Sequence, residues 1–263
     1  MSTLQKNIFC YNLCEVIKII PVTILTVALN SDATIARTIE SVINQTYKNI
    51  EYIILDGASH DNTVKIASSY IERFNAMPGR SMKVFSEKDK GMYDALNKGA
   101  GLAQGVIVGQ INADDYYEPD AVQTMAELYE REKFDLAWGS VRVITRTGSM
   151  IKHAKRGLLW TTSHWCHPAA FASRDILLEY PYPLNNIHDD FDFATHVYID
   201  GRKIFPIDKV ISNFTVGGAS TKKSFKDAKR RIDEIYGIYK KYGMSKFYYL
   251  HRLIFETVKY FLI

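Results

Sequence analysis

Apolar residues along this chain recur in two alternating rhythms. Short runs rich in β-branched residues, VTILTVA at 22–28 and the stretches 50–55, 82–86 and 106–111, have the length and composition of strands buried on both faces. Between them apolar positions return at helical spacing, first Ile35, Ile39, Val42 and Ile43, then Val64, Ile66, Ala67, Tyr70 and Ile71. Asn30-Ser31-Asp32 offers an N-cap to the first helix, Asp61 or Asn62 to the second, and Met77-Pro78-Gly79-Arg80 breaks the pattern again. Strand, helix, strand in repetition predicts βαβ units. The fold class is therefore α/β, a mainly parallel sheet flanked by helices, with the loops at the strand C-termini building the site.

Beyond residue 120 the rhythm loosens. Pro119 suits the first position of a helix whose buried stripe is Val122, Met125, Leu128 and Tyr129. Residues 134–140 and 141–145 read as two strands, with Gly148 in the turn that follows. Leu158-Leu159-Trp160 and the stretch 165–171 are irregular and aromatic. A helical pattern starting near Asp189 ends at Gly201, short strands are predicted at 203–207 and 210–214, and Gly217-Gly218-Ala219-Ser220 forms a loop. Phe225, Ala228, Ile232, Ile235, Tyr236 and Tyr239 then mark a long amphipathic helix.

Composition narrows the picture. A chain of 263 residues buries a substantial core, and its formal charge of +4 is mild and dispersed, so no nucleic-acid partner is expected. Lys222, Lys223, Lys226, Lys229, Arg230 and Arg231 crowd one late segment, read as a solvated helix face with anionic lipid as the alternative. Three cysteines, Cys10, Cys14 and Cys166, make neither a disulfide framework nor a zinc site and suit a reducing compartment. The N-terminus lacks the pattern of a secretory signal, and no run of about 18 uncharged apolar residues occurs. A cytoplasmic location follows as the expectation. The tail 247–263 is amphipathic, which leaves room for peripheral contact with the inner membrane face.

The chemistry gathers at two acidic places. The strand ending near Ile111 stops abruptly in Asn112-Ala113-Asp114-Asp115, a carboxylate pair at a strand end, and such hard oxygen ligands suit a divalent cation that neutralises phosphate. Acids also simply favour loops. At Asp189, Asp190 and Asp192 three carboxylates open a helix, where they fit the helix dipole or supply a general base. Trp165, His167 and their aromatic neighbours suit either a sugar-binding wall or core packing. The glycines at 99, 101 and 105 are not a dinucleotide fingerprint, because they close a helix and precede a strand, and a phosphate-binding GxxxxGK[ST] loop is absent.

Several stretches taken together resemble the family 2 glycosyltransferases of the GT-A fold, of the bacterial polysaccharide type. They are Thr26-Val-Ala-Leu-Asn30, the run 38–47, Asp56-Gly-Ala-Ser59 with Asp61 and Thr63, the run 86–99 containing Lys90, Tyr93 and Asn97, and Asn112-Ala-Asp-Asp115. The likeness covers residues 21–120 almost entirely and thins to His167-Pro-Ala-Ala-Phe171, Asp189-Asp-Phe-Asp192 and Gly217-Gly-Ala-Ser220 thereafter. It implies a nucleotide-sugar donor, most often a UDP-sugar, and transfer with inversion to a hydroxyl of a saccharide or lipid-linked saccharide. On that resemblance Thr26 and Asp56 fall at the base and ribose, Lys90 approaches the diphosphate, and Asn30, Tyr93 and Asn97 belong to the donor side. Asp115 would ligate Mn2+ or Mg2+, with Asp114 nearer the ribose or a metal-bound water, Asp190 falls at the catalytic base, and Trp165, His167, Asp189 and Asp192 lie on the acceptor side. Gly57 stands where many relatives carry a second acid, Asn112 replaces the first acid of the DXD-type motif, and Asp189 is unusual beside the base.

The same reading divides the chain into an N-terminal segment 1–20, a catalytic domain 21–220 with a nucleotide-sugar half 21–120 and an acceptor half 121–220, and a C-terminal helical extension 221–263. Two alternatives compete with it. A sugar nucleotidylyltransferase would show a glycine-rich, arginine-bearing loop after its first strand, where Asn30-Ser31-Asp32-Ala33 stands. An inactive sugar-nucleotide or glycan-binding module would not need both Asp115 and Asp190.

Overall fold

The computed structural model describes residues 19–145, 147–155, 165–216, 225–245, 247–250, 253, 254 and 257. Cys10 and Cys14, Leu158-Leu159-Trp160, Gly217 to Ser220, and Lys222 and Lys223 lie outside the described residues.

The first half follows the predicted alternation. Strands β1 (Val22–Ala28), β2 (Ile50–Asp56), β3 (Arg80–Ser86) and β4 (Ile107–Asn112) alternate with α1 (Ile35–Ile43), α2 (Thr63–Ser69), α3 (Ile71–Asn75) and α4 (Met92–Leu102). Every residue of β1 and β2 is buried, as strands covered on both faces require. Ile24, Leu25, Ile50 and Ile54 are essentially sealed from solvent, each such side chain contributing roughly 1.5–3 kcal/mol. Parallel pairing sets Ala28 beside Asp56, Asp56 beside Ser86, and Val27 beside Asn112. The C-terminal ends of β1 to β4 thus form one row, and every loop carrying candidate chemistry in the first half leaves from it.

The second half extends the same sheet in mixed directions. After β5 (Tyr116–Tyr117), α5 (Ala121–Glu132), β6 (Leu136–Thr145), β7 (Gly148–Lys152), a 3-10 turn at His167–Ala169, β8 (Ala170–Ser173), α6 (Arg174–Glu179), α7 (Asp189–Ile199), β9 (Ile204–Thr215) and α8 (Phe225–Lys241) complete the described elements. The order across the sheet is β3-β2-β1-β4-β8-β6-β9-β5, with β7 on β6. Strand β8 pairs antiparallel with both β4 and β6, so it joins the parallel first half to the second.

Several boundaries differ from the sequence reading, each for a local reason. The two strands predicted over 134–145 are one, β6, and the pair over 203–214 is β9. A register shift around Ser140, opposite the irregular middle of β9, absorbs the break in both patterns. The second helix is divided at Tyr70 into α2 and α3. Helix α1 is capped at Thr34 rather than at 30–32, because Asn30 takes a positive φ of 49° and the Ser31 carbonyl accepts from Thr34 and Ile35 N–H instead. Helix α5 begins at Ala121, two residues past Pro119.

Helix α8 does not stand apart. Ile235, Ile238 and Tyr239 are buried in the same core as the sheet, so α8 packs on it through its apolar stripe. Among the described residues no helix is long and apolar enough to cross a membrane.

Candidate active site

The acidic turn continues the two-residue alternation of the strand before it. Asn112, Asp114, Tyr116 and Glu118 are partly exposed, whereas Ala113, Asp115 and Tyr117 are buried. Asp115 has no exposed surface. Its Oδ1 accepts a 3.0 Å hydrogen bond from Thr215 N at the end of β9, and its Oδ2 lies 3.4 Å from Asn112 Nδ2. The Thr38 hydroxyl donates to its carbonyl at 2.6 Å. Arg37, which the sequence reading missed, donates to the Asp114 carbonyl at 2.7 Å and to Thr215 Oγ1 at 3.1 Å, its guanidinium 4.7 Å from the centre of the Tyr116 ring.

Burial, and secondarily the neighbouring Asp114 charge, push the Asp115 carboxyl up to about 8. Burial also raises Asp114. Neither carboxylate has a Lys or Arg ion pair among the described residues. Arg37 is the nearby positive charge that opposes the rise, but it binds the Asp114 carbonyl and neither carboxylate; two adjacent carboxyls without an ion pair are what a divalent cation relieves, so the residues fit Mn2+ or Mg2+. No cluster of three or more His, Cys, Asp or Glu side chains able to hold a metal occurs among the described residues, so further ligands would come from diphosphate and water. The half-exposed Asp114, not the sealed Asp115, is the member that reaches open space.

Around the row of strand ends, the donor-side candidates separate into reachable and internal groups. Thr26 has no exposed surface and faces the Tyr52 hydroxyl at 3.0 Å, so it is a support within the sheet. Asp56 is nearly buried and binds its own loop, accepting from Ser59 N at 2.9 Å, from the Ser59 hydroxyl, and from Ser86 Oγ at 2.7 Å. Asn30 joins the first two loops, its N–H donating to Ser59 Oγ at 2.7 Å and its Oδ1 accepting from His60 N at 2.9 Å. The carboxylate of Asp89 lies over Gly57, where an added Cβ would meet Asp89 Oδ2 at 2.8 Å. An acid from the next loop thus packs directly over the glycine. Lys90 is exposed beside it. Asn97 is engaged on both sides of its amide by the Tyr182 backbone, at 2.9 Å each, which assigns it to packing.

The second acidic place resolves into three unlike carboxylates. Asp189 is sealed and accepts from Asn185 N at 2.8 Å and Asn186 N at 3.2 Å, tying down the segment before α7, while burial raises its carboxyl. Asp192 is 4% exposed and is bound by Lys241 Nζ, 2.9 Å from each oxygen, and by the Tyr242 hydroxyl at 2.5 Å. Asp190 alone keeps exposed surface. Tyr93 of α4 donates to its Oδ1 at 2.9 Å and Trp165 Nε1 donates to its Oδ2 at 2.7 Å. The structure therefore moves Tyr93 from the donor side to the acid on α7 and separates Asp190 from Asp189 and Asp192.

Behind this group runs a buried polar chain. Gln110 Oε1, on β4 two residues before Asn112, lies 2.9 Å from His167 Nε2 and accepts from the Tyr182 hydroxyl at 2.6 Å. Burial lowers the His167 imidazole, with the Asp190 charge opposing, so it is neutral near pH 7. Gln110 and Tyr182 were not singled out from sequence, although a glutamine inside the apolar run of β4 was a visible signal.

Parallel strands ending in acidic and hydroxyl-rich loops, continued by a mixed second half with one reachable carboxylate beyond them, make up an α/β fold of the GT-A kind. A family model, Glycosyl transferase family 2, matches residues 23–189, more than half of the chain, and the chain belongs to that family. Asp190 lies one residue past the matched span. A chondroitin synthase of Escherichia coli is 32% identical over 133 residues, 50% of this chain and 19% of that protein. A PGL/p-HBAD biosynthesis glycosyltransferase of Mycobacterium bovis is 32% identical over 121 residues, 45% of this chain and 46% of that one. The chain thus spans less than half the length of either relative. In fold it is similar to S. aureus TarS 1–349 in complex with UDP, with a TM-score of 0.63, 19% identity, and 75% and 61% of the two chains covered. It is equally similar to mannosyltransferase PcManGT from Pyrobaculum calidifontis in complex with GDP-Man and Mn2+, with a TM-score of 0.63, 19% identity, and coverage of 92% and 70%.

Proposed function

We propose that this chain is an inverting glycosyltransferase that moves a sugar from a nucleotide-sugar donor to a hydroxyl of a saccharide or lipid-linked saccharide. The observation that carries the reading is the isolation of Asp190: of the three acids in the first turn of α7, it alone is reachable, and it is anchored at both oxygens. Asp190 takes the proton of the acceptor hydroxyl as the new bond to the anomeric carbon forms. The bond from that carbon to the diphosphate oxygen breaks, and the nucleoside diphosphate leaves with the electron pair. No covalent enzyme intermediate is required.

The donor lies across the row of strand ends. Asp56 and the loops it ties together face the base and ribose, with Thr26 as support, and the exposed Lys90 approaches the diphosphate. Asp114, backed by Asp115, would hold Mn2+ or Mg2+, and the ion when bound would offset negative charge growing on the departing diphosphate. The printed ligands of the structural neighbours, UDP in one case and GDP-Man with Mn2+ in another, support a nucleotide-sugar donor and a divalent ion. A UDP-sugar is the donor we propose to test first.

The decisive experiment is nucleotide release from a panel of UDP- and GDP-sugars with Mn2+, with water or added saccharides as acceptor, by wild type and by Asp190→Ala. Turnover of one donor that falls by two orders of magnitude or more in the variant is the expected result. Equal release by both proteins rejects Asp190 as the base, and binding of a sugar nucleotide without any turnover favours a binding module.

A further inference from the structure

Asp190 is held by two donors from distant parts of the chain, one of them in the stretch that the resemblance places on the donor side. Tyr93 stands in the first turn of α4, 97 residues away, and Trp165 stands two residues before the 3-10 turn at His167–Ala169. Both are nearly sealed, at 7% and 4% exposure. We propose that Tyr93 and Trp165 are positioning residues that fix the carboxylate of Asp190 as a charged, correctly turned proton acceptor, an inference that rests on Asp190 being the base.

The geometry supplies three reasons. One donor binds each carboxylate oxygen, so rotation of the carboxylate breaks both bonds at once. An ionised carboxylate offers about four acceptor positions, and two bonds leave the others for an incoming hydroxyl. The donors are themselves immobile. The Tyr93 ring packs against Tyr182 at 5.1 Å and His167 at 6.4 Å between centroids, and Trp165 packs edge-on against Trp138 at 5.2 Å. The single proton of the Tyr93 hydroxyl is shared between Asp190 Oδ1 at 2.9 Å and the Ile187 carbonyl oxygen at 3.0 Å, three residues earlier, which ties the ring to the start of the base helix.

Chemistry keeps both groups in donor form. Indole N–H has no other protonation state in water, and burial with the Asp190 charge raises the Tyr93 phenol well above its ordinary range. The other titratable groups facing Asp190 are His167 and Tyr182 from the buried polar chain and Asp189 on its own helix. His167 and Tyr182 are neutral near pH 7, and the Asp189 carboxyl is turned away onto the Asn185 and Asn186 N–H groups.

Tyr93→Phe and Trp165→Phe test the idea beside Asp190→Asn, using the sugar nucleotide selected from the panel with water as acceptor. Each single variant keeps an aromatic ring in place, and a thermal melt checks that it folds. The expected result is a fall in kcat of roughly tenfold or more in each, an unchanged donor Kd by calorimetry, and an acid limb of the pH profile moved to higher pH. The double variant should fall no lower than Asp190→Asn. If Asp190→Asn turns over normally, the base reading itself fails. If Asp190→Asn is inactive while both phenylalanine variants keep wild-type kcat and pH profile, the positioning role fails although the base stands. A weakened donor Kd with unchanged kcat in folded Tyr93→Phe overturns it too, returning Tyr93 to the donor site.

Discussion

Lys241, at the last residue of α8, places its ammonium 2.9 Å from both oxygens of Asp192, a residue 49 positions earlier on the helix that carries Asp190. The pair is lopsided, with Asp192 almost sealed and the lysine side chain about half exposed. Removing the lysine strands a buried carboxylate, whereas removing the carboxylate returns a lysine to water. Lys241→Ala should therefore cost about 2 kcal/mol, less than a fully buried pair because of solvent screening, and Asp192→Ala about half of that. Urea unfolding of both variants checks the asymmetry. Equal costs would mean that the exposed end of the pair sets its strength.

The acidic turn makes stability depend on pH in a defined direction. Asp115 is raised from its ordinary value to about 8, so between about pH 4 and 8 the folded protein holds a proton that the unfolded chain releases. Its contribution is present at low pH and is lost as pH rises through 8, by up to about 1.4 kcal/mol per pH unit. Chelator-treated protein should melt progressively lower from pH 5 to 8, and Asp115→Asn should flatten that slope. Mn2+ should raise the melting temperature more at pH 8 than at pH 5, and Asp114→Ala should abolish the Mn2+ response.

Asn97 exchanges two hydrogen bonds with the Tyr182 backbone, and the Tyr182 hydroxyl in turn holds Gln110. Loss of that clamp in Asn97→Ala should destabilise the protein by about 2 kcal/mol while leaving the donor Kd within twofold. Denaturant midpoints and calorimetry measure the two quantities. A tenfold loss of donor affinity with normal stability would restore Asn97 to the donor site.

Gly57→Asp puts a second acid beside Asp56. The new Cβ meets only the movable carboxylate of Asp89, at 2.8 Å, so the fold should tolerate it within about 1 kcal/mol. Repulsion of the introduced carboxylate by Asp56 and Asp89 should displace the loop before α4 and raise the Kd for the donor nucleotide severalfold. Isothermal titration with UDP and GDP reads this directly.

After α8, Phe247, Leu250 and Ile254 are exposed at helical spacing. If this stripe meets a membrane carrying a lipid-linked acceptor, flotation of the intact protein with anionic vesicles should drop at least fivefold in Phe247→Glu/Leu250→Glu. Unchanged flotation removes the membrane role.

How much of this was readable from the chain depended on the range of the interactions. Strands β1 to β4 and their helices are local: β-branched runs and helical spacing specify them, and the parallel register follows from burial on both faces. Their acidic ends were legible for the same reason. The long strand β9 was not, because its pattern is interrupted in the middle and only pairing with the bulge in β6 makes it continuous. Site residues followed the same division. Asp114, Asp115 and Asp190 carry chemistry in their type, but Tyr93, Trp165 and Asn97 take their roles from partners between 25 and 97 residues away. Arg37 and Asp89 act across loops, and nothing in their local sequence announces it.

Helix α4 has a consequence for how such enzymes diversify. Its Tyr93 and Asn97 sit one turn apart on a helix of the first half of the chain, yet both reach residues after 180. A new acceptor specificity grafted onto this chain by exchanging everything beyond residue 120 would bring its own partners for those two side chains, or lose them. Working chimeras with relatives are therefore expected to inherit positions 93 and 97 together with the donated second half, so that two positions of the first half travel with the second.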